Sequence, residues 1–386
     1  MWRVLTIVLV LFVSSGCGAS SPEDAGEKLE KRLERQLDDR KGPRHAVLKV
    51  TSEPLGLDGV WVAGQQESGE AMTAETPFLS ASIGKLFVAT ATIALADDGV
   101  LSLDDPITRW VPASELSGLP VAGGDASFNE ITIAHLLGHR SGFPDYFVGE
   151  TKDGEPNILE LVVEQPDKLW TRQELLDYTI AHYDPVGRPG EQFLYSDVNY
   201  DVMGMVLEAA TQKSYEQVVR DEVLDPLGLD QTWYYNSEPA PEGVGPIADV
   251  WIDRTQVMGY ASLSVDQAGG GLATTTRDLE RFMRALIASE LVSFSDFERY
   301  TEDAITDGID YGYGLWKVRP AGLSWFARGL PEMVGVSGSL GSYVYYIEEY
   351  DAVITGTFDQ STWAEKHIQF IMSKVIPILA RTEAEE

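Results

Sequence analysis

Strand-like runs at both ends of the chain, with a long helical stretch between them, restrict the fold more than any other feature of this sequence. "HAVLKV" and "GVWVAGQ" cluster or alternate apolar residues from His45 onward. "YGYGLWKV", "GSYVYYIEEY" and "DAVITGTFD" do so again late in the chain. From about Leu101 to Tyr300, segments such as "ITIAHLLGHRSGF", "TRQELLDYTIAHY", "DVNYDVMGMVLEAATQ" and "TTRDLERFMRALIAS" carry helical periods separated by loops. One sheet assembled from both termini follows, flanked by helices and facing a mainly helical lobe. This α/β (α+β) arrangement predicts a sheet lobe over about residues 44–98 and 305–386 and a helical lobe over about 99–304. No internal repeat or Gly/Ser-rich linker divides it.

Sixty-one acidic against 29 basic residues give a net charge of −32, which argues against a nucleic-acid partner. The acids are spread along the chain, as on a solvated, self-repelling surface. At the N-terminus, Arg3 precedes the apolar run "VLTIVLVLFV" and then "SSGCGASS". That run falls short of the ~20 residues that span a bilayer and reads as a signal segment, residues 1–16. Cys17 is the only cysteine, so no internal disulfide forms. The segment resembles a bacterial lipoprotein signal, with Cys17 as the lipidated residue and Ser14 where that pattern usually has leucine. The expectation is an exported, envelope-located protein held to a membrane surface through Cys17; a plain secretory signal is the alternative. Residues 17–43 read as a charged tether, in which Leu29, Leu33 and Leu37 allow a thin helix, either free as a spacer or docked on the domain. Near the C-terminus, Thr362 and Glu365 are spaced as a capping box.

The chemistry is concentrated in "FLSASIGKLFVATATIAL", where Lys85 is the one charge in an apolar helical segment and sits three residues after Ser82. With a helix starting near Ser82, the free N–H groups and positive dipole end lie beside its hydroxyl. Residue i+3 shares the helix face, so the Lys85 amine reaches that hydroxyl. Burial and the helix terminus would lower the amine's pKa towards that of a base. "PGEQFLYSDVNYDVMGMVLE" puts Tyr195 before another helix, and a phenol beside an ammonium gives up its proton more readily. "GVSGSLGSYVYYI" places small residues against a strand, whose bare edge could pair with a substrate backbone.

"FLSASIGK", "YSD" and "VSG", in that order, resemble the three motifs of serine β-lactamase-related proteins, in the branch of class C β-lactamases, D-alanyl-D-alanine carboxypeptidases and esterases. "LADDGVLSLDDPI", "ITIAHLLGHRSGFPDY", "LDPLGLDQTWYY" and "AGGGLATTTRDLERF" support the resemblance, which covers about residues 45–375. It implies a β-lactamase/transpeptidase-like fold and an acyl-enzyme route with neither metal nor organic cofactor. It further implies Ser82 as nucleophile, Lys85 as its proton partner, Tyr195 as general base and acid, and the N–H groups of Ser82 and Ser339 as the oxyanion hole. Asp197, Val336, Ser337 and Gly338 would line the substrate site.

Two positions depart from the branch. Val336 stands where lysine or histidine usually opens the third motif, and Asp197 stands where asparagine is common. An ionised Asp197 would raise the Lys85 pKa and make Lys85 an electrostatic organiser, leaving Tyr195 to accept the proton. Both changes make the cleft less positive, so the expected activity is hydrolysis of esters or amides carrying uncharged acyl groups, with weak β-lactam turnover. The competing expectation is an impaired member of the fold acting as an envelope binding or scaffold module, with Val336 marking decay of the site. His135 and His139, four residues apart with no third ligand in view, read as structural.

Overall fold

A computed structural model describes residues 20–37, 42–364 and 366–383. Cys17 with the apolar run before it, and Glu365 of the expected capping pair, lie outside these residues. The main sheet has eight antiparallel strands: β1 (His45–Ser52), β2 (Leu57–Gly64), β3 (Thr301–Thr306), β4 (Ile309–Tyr311), β5 (Trp316–Val318), β6 (Met333–Ser337), β7 (Ser342–Ile347) and β8 (Ala352–Thr357). Their order is β2-β1-β8-β7-β6-β5-β4-β3. The two ends of the chain meet where β1 pairs with β8, from Val47 opposite Thr357 to Ser52 opposite Ala352. Every residue of β8 and nearly every residue of β1 and β7 is buried, so this part of the sheet is covered on both faces.

Six helices bear on the sheet and the site: α1 (Pro22–Leu37), α2 (Gly84–Asp97), α3 (Ile133–Leu137), α4 (Val198–Thr211), α5 (Thr276–Ile287) and α6 (Lys366–Phe370). The region expected to be a tether holds α1, which is docked and not free. Ala25, Leu29 and Leu33 lie along one stripe of α1 and are fully buried, against β1, β2 and the last helical turn of the chain. Each buried leucine contributes roughly 1.5–3 kcal/mol of apolar transfer, enough to hold a helix whose other faces are charged.

Two boundaries of the expected helical lobe move. β3 begins at Thr301, inside the stretch read as helical. Helix α5 packs on β1, β7 and β8, so it belongs with the sheet. The reason lies in its stripe: Leu279, Phe282, Met283 and Leu286 are buried, and Phe282 stacks on Phe87 of α2 with ring centroids 3.9 Å apart. The remaining middle segment contains helices joined by long loops, and two of its strands, Trp233–Tyr234 and Leu272–Thr274, form a small sheet with Phe78–Leu79 in which Leu272–Thr274 is central.

Candidate active site

From Thr76 to Ile93, Ser82 alone keeps partial exposure. It sits on a 3-10 turn, Ala81–Ile83, that runs into α2 at Gly84. Ala81 takes the left-handed conformation, φ 46°, which turns the chain sharply out of the preceding strand. The end of β6 comes up close behind this turn. A Cβ on Gly338 would lie 2.4 Å from the Ser80 carbonyl oxygen, so only glycine fits at that approach.

Lys85 lies in the first turn of α2 and is 2% exposed. Its Nζ donates to Ser82 Oγ at 3.2 Å, Asp197 Oδ1 at 2.5 Å and the Gly269 carbonyl at 3.1 Å. An ammonium has three protons, and all three are used. Burial works against the charge, but the Asp197 carboxylate, with Tyr195, outweighs it and holds the Lys85 pKa above its ordinary value. The lowering expected from desolvation is therefore not found, the rise expected from an ionised Asp197 is, and Lys85 is a cation.

Tyr195, at the loop before α4, places its ring centroid 5.2 Å from Lys85 Nζ. Burial raises the phenol's pKa; Lys85 and the Ser82 hydroxyl oppose this, and Asp197 reinforces it. The net direction is upward, so the easier deprotonation expected beside an ammonium does not arise. At neutral pH Tyr195 is a phenol.

Ser82, Tyr195, Asp197, Ser337, Gly338 and Ser339 line one cavity of about 290 Å³. Its other walls are largely apolar, with Phe147, Val148, Leu159 and Trp316. A larger cavity of about 630 Å³ opens near Trp170, Arg172 and Glu208, but contains none of Ser82, Lys85 and Tyr195. The N–H of Gly338 donates to the Ser342 carbonyl and that of Gly341 to the Gly338 carbonyl. This turn leaves the Ser339 N–H without a backbone acceptor among the described residues.

Three expectations for the third segment change. β6 is not a sheet margin: β5 pairs with it as far as Trp316 opposite Gly335, so only Val336 and Ser337 are open on that side. Val336 is 2% exposed and is not part of the cavity wall. The Ser337 hydroxyl faces away, 2.6 Å from Tyr345 Oη and 2.6 Å from His367 Nε2. His367 Nδ1 lies 2.9 Å from the Trp363 carbonyl, which accepts its N–H and so leaves Nε2 to accept from Ser337. Burial lowers the His367 pKa to about 4.

An acid cluster around Lys85, beyond Asp197, has no mark in the local sequence. Asp145 also lines the cavity; its carboxylate accepts the N–H groups of Asp197, Phe147 and Val148. Burial and the Asp197 charge push its pKa up to about 6. Asp266, on the far side of Gly270, is raised to about 7 by burial and Asp197. Also unmarked are the glycines of "AGGG": a Cβ on Gly269 would sit 3.1 Å from Lys85 Nζ. Asp145 and these glycines lie in segments that support the family resemblance, and Asp266 lies just before the second, but nothing local ties any of them to Lys85.

His135 and His139 do not share a site. The His135 ring accepts the Thr132 N–H and caps α3, while His139 packs against Tyr195. Among the described residues no group of three or more His, Cys, Asp or Glu side chains is placed to hold a metal ion.

The family model described as Beta-lactamase matches residues 38–369. Penicillin-binding protein 4* of Bacillus subtilis strain 168 is 26% identical over 287 residues, 70% of this chain. The match spans 56% of that relative's length, so the chain corresponds to little more than half of it. Among solved structures, D-amino acid amidase from Ochrobactrum anthropi SV3, complexed with D-phenylalanine, superposes with a TM-score of 0.75 at 22% identity, covering 93% of this chain and 100% of that one. EstCE1, described as a hydrolase with promiscuous acyltransferase activity, superposes with a TM-score of 0.71 at 20% identity, covering 93% and 99%. At these identities the two structures establish a shared fold.

Proposed function

The chain belongs to the Beta-lactamase family, and from that premise we propose that it is a serine hydrolase forming an acyl-enzyme on Ser82, with esters or amides of uncharged acyl groups as substrates. The observation that carries this reading is the 3.2 Å contact from Lys85 Nζ to Ser82 Oγ at the wall of a cavity that Tyr195 also lines.

Ser82 Oγ attacks the carbonyl carbon, and the carbonyl π electrons move to oxygen. The N–H groups of Ser82 and Ser339 receive the oxyanion; one such donor is worth roughly 2.7–4 kcal/mol in a dry site. Because Tyr195 is a neutral phenol, it works as a relay. It takes the Ser82 proton while giving its own to the leaving oxygen or nitrogen. The oxyanion electrons re-form the carbonyl, and the bond from carbon to the leaving group breaks, leaving the Ser82 ester. Lys85 stays charged and stabilises negative charge growing on Ser82 Oγ. Water then attacks the ester carbon, its proton passes to Tyr195, and the Tyr195 proton returns to Ser82 Oγ as the bond between Oγ and the carbonyl carbon breaks and the acid leaves.

The cleft's charge favours uncharged acyl groups. Asp145 and Asp197 line it, no lysine or arginine does among the described residues, and every Lys85 proton is engaged. A β-lactam carboxylate would meet two carboxylates and lose a charge-assisted contact worth roughly 1.5–3 kcal/mol.

Incubation with a fluorophosphonate probe tests the nucleophile: labelling that vanishes in Ser82→Ala supports the enzyme, and folded wild type without labelling supports the scaffold reading. A turnover efficiency on a β-lactam far above that on a simple p-nitrophenyl ester would overturn the substrate assignment. We also propose that Cys17 anchors the protein at the cell envelope. Incorporation of a palmitate analogue that is lost in Cys17→Ser supports that anchor, and none in the wild type refutes it.

A further inference from the structure

His139 is fully buried, yet the mechanism above gives it no role. It follows α3 in a left-handed conformation, φ 52°, and holds three consecutive residues of the Tyr195 segment. Its carbonyl accepts the Leu194 N–H at 2.8 Å. Its ring lies against the Tyr195 ring, with centroids 4.2 Å apart and planes 31° apart. Its Nδ1 accepts the Ser196 N–H at 3.2 Å and the Asn199 Nδ2 amide at 3.0 Å.

Two donors on Nδ1 place the ring proton on Nε2. Nε2 is buried and has no hydrogen-bond partner among the described residues. The imidazole packs among further aromatic rings, with centroid separations of 4.9 Å to Tyr311 and 6.0 Å to Phe193, both edge-to-face. A phenyl ring could supply the stacking, and an amide could supply the acceptor. Imidazole supplies both at one position, which accounts for a polar atom left unpaired in the core.

We infer that His139 is a positioning residue: through its stacking and its Nδ1 acceptor it fixes the Tyr195 phenol at the distance from Ser82 that proton relay requires. This rests on the acyl-enzyme reading. The imidazole does this as a neutral group. Burial, and then the nearby Lys85 ammonium, hold its pKa well below the ordinary histidine value. Protonating Nδ1 would require breaking both bonds that seat it.

The test follows fluorophosphonate labelling of the full-length protein as a function of probe concentration, separating the maximal rate of bond formation from probe affinity. His139→Ala removes ring and acceptor. His139→Asn tolerates the left-handed backbone and restores an acceptor near Nδ1, without the ring. The expected result is a maximal rate about 100-fold lower in His139→Ala and about 10-fold lower in His139→Asn, with affinity within about 3-fold of wild type. Should His139→Ala not fold, His139→Asn decides alone. A folded His139→Asn with the wild-type rate, or one whose loss falls on affinity, overturns the inference. Wild type that is never labelled at Ser82 removes the acyl-enzyme reading itself, and this inference with it.

Discussion

Asp197 Oδ1 lies 2.5 Å from Lys85 Nζ, and this ion pair sets the protonation state of the whole cleft. The ammonium side chain is 2% exposed and the carboxylate 18%, so the pair is only lightly screened by solvent. Asp197 holds Lys85 protonated, raises the Tyr195 pKa, and pushes up the neighbouring Asp145 and Asp266 carboxyls.

Asp197→Asn keeps an acceptor and removes the charge. The Lys85 pKa falls because its counter-ion is gone, and the Tyr195 pKa falls because an anion that opposes the phenolate is gone. The pH profile of fluorophosphonate labelling is therefore expected to move by about one unit or more towards acid. The variant is also expected to lose about 3 kcal/mol of stability, since a buried ammonium is left uncompensated. Labelling rates and urea midpoints across pH check both; an unmoved profile would show that Asp197 does not set the cleft's titration.

Gly269→Ala and Gly84→Ala should separate rate from stability. A Cβ at Gly269 meets the movable tip of Lys85 at 3.1 Å and Asp197 Oδ1 at 3.2 Å, whereas one at Gly84 meets the Gly270 Cα at 2.9 Å. The first displaces the ion pair and is expected to slow labelling at least ~10-fold with little change in melting. The second presses backbone on backbone and is expected to cost roughly 1–3 kcal/mol. Equal effects of the two on melting would count against this division.

Asp145→Asn removes the second carboxylate facing the substrate. Acylation by a β-lactam is expected to gain several-fold relative to hydrolysis of a neutral ester, because like-charge repulsion of the substrate carboxylate is relieved. The ratio of the two efficiencies, wild type against variant, is the measurement. A ratio that stays constant would place the acyl selection elsewhere.

His367 predicts a loss of stability in acid. Its folded pKa of about 4 lies below its ordinary 6.5, so the unfolded chain takes up a proton that the folded chain refuses. The stabilising contribution is whole above pH 6.5 and disappears as the pH falls towards 4. At full extent it amounts to ~3 kcal/mol. Urea midpoints should fall over that window in the wild type and fall less in His367→Gln. Parallel curves for the two proteins would refute it.

Much of the site was readable one segment at a time. Ser82 and Lys85 are three residues apart on one helical turn, so chain geometry alone brings hydroxyl and amine together. Tyr195 and Ser339 were found from segments whose likeness to a known family does not depend on seeing the contact. The protonation states were readable only as two opposed expectations for Lys85, a fall from burial and a rise from an ionised Asp197. Lys85 and Asp197 stand 112 residues apart, and whether burial or the counter-charge wins depends on a distance that no local pattern encodes. Burial alone gave one direction for Lys85 and Asp197 the other, and the 2.5 Å separation decided it. Tyr195 went the opposite way from Lys85's influence for the same reason: its burial and the Asp197 charge appear only once the chain is packed.

The sequence by itself determined most of the elements, the sheet drawn from both termini, and the placement of Ser82 and Lys85 on one helical turn, because periodicity and i,i+3 spacing are properties of a local chain. Only the tertiary structure decided that α1 is docked, that Val336 stays out of the cavity wall, that Asp145 and the Gly269 segment belong to the cleft, and that Lys85 is charged while Tyr195 is not. Electrostatic energy depends on separation and on exclusion of water, and both are fixed by contacts between residues far apart in the chain.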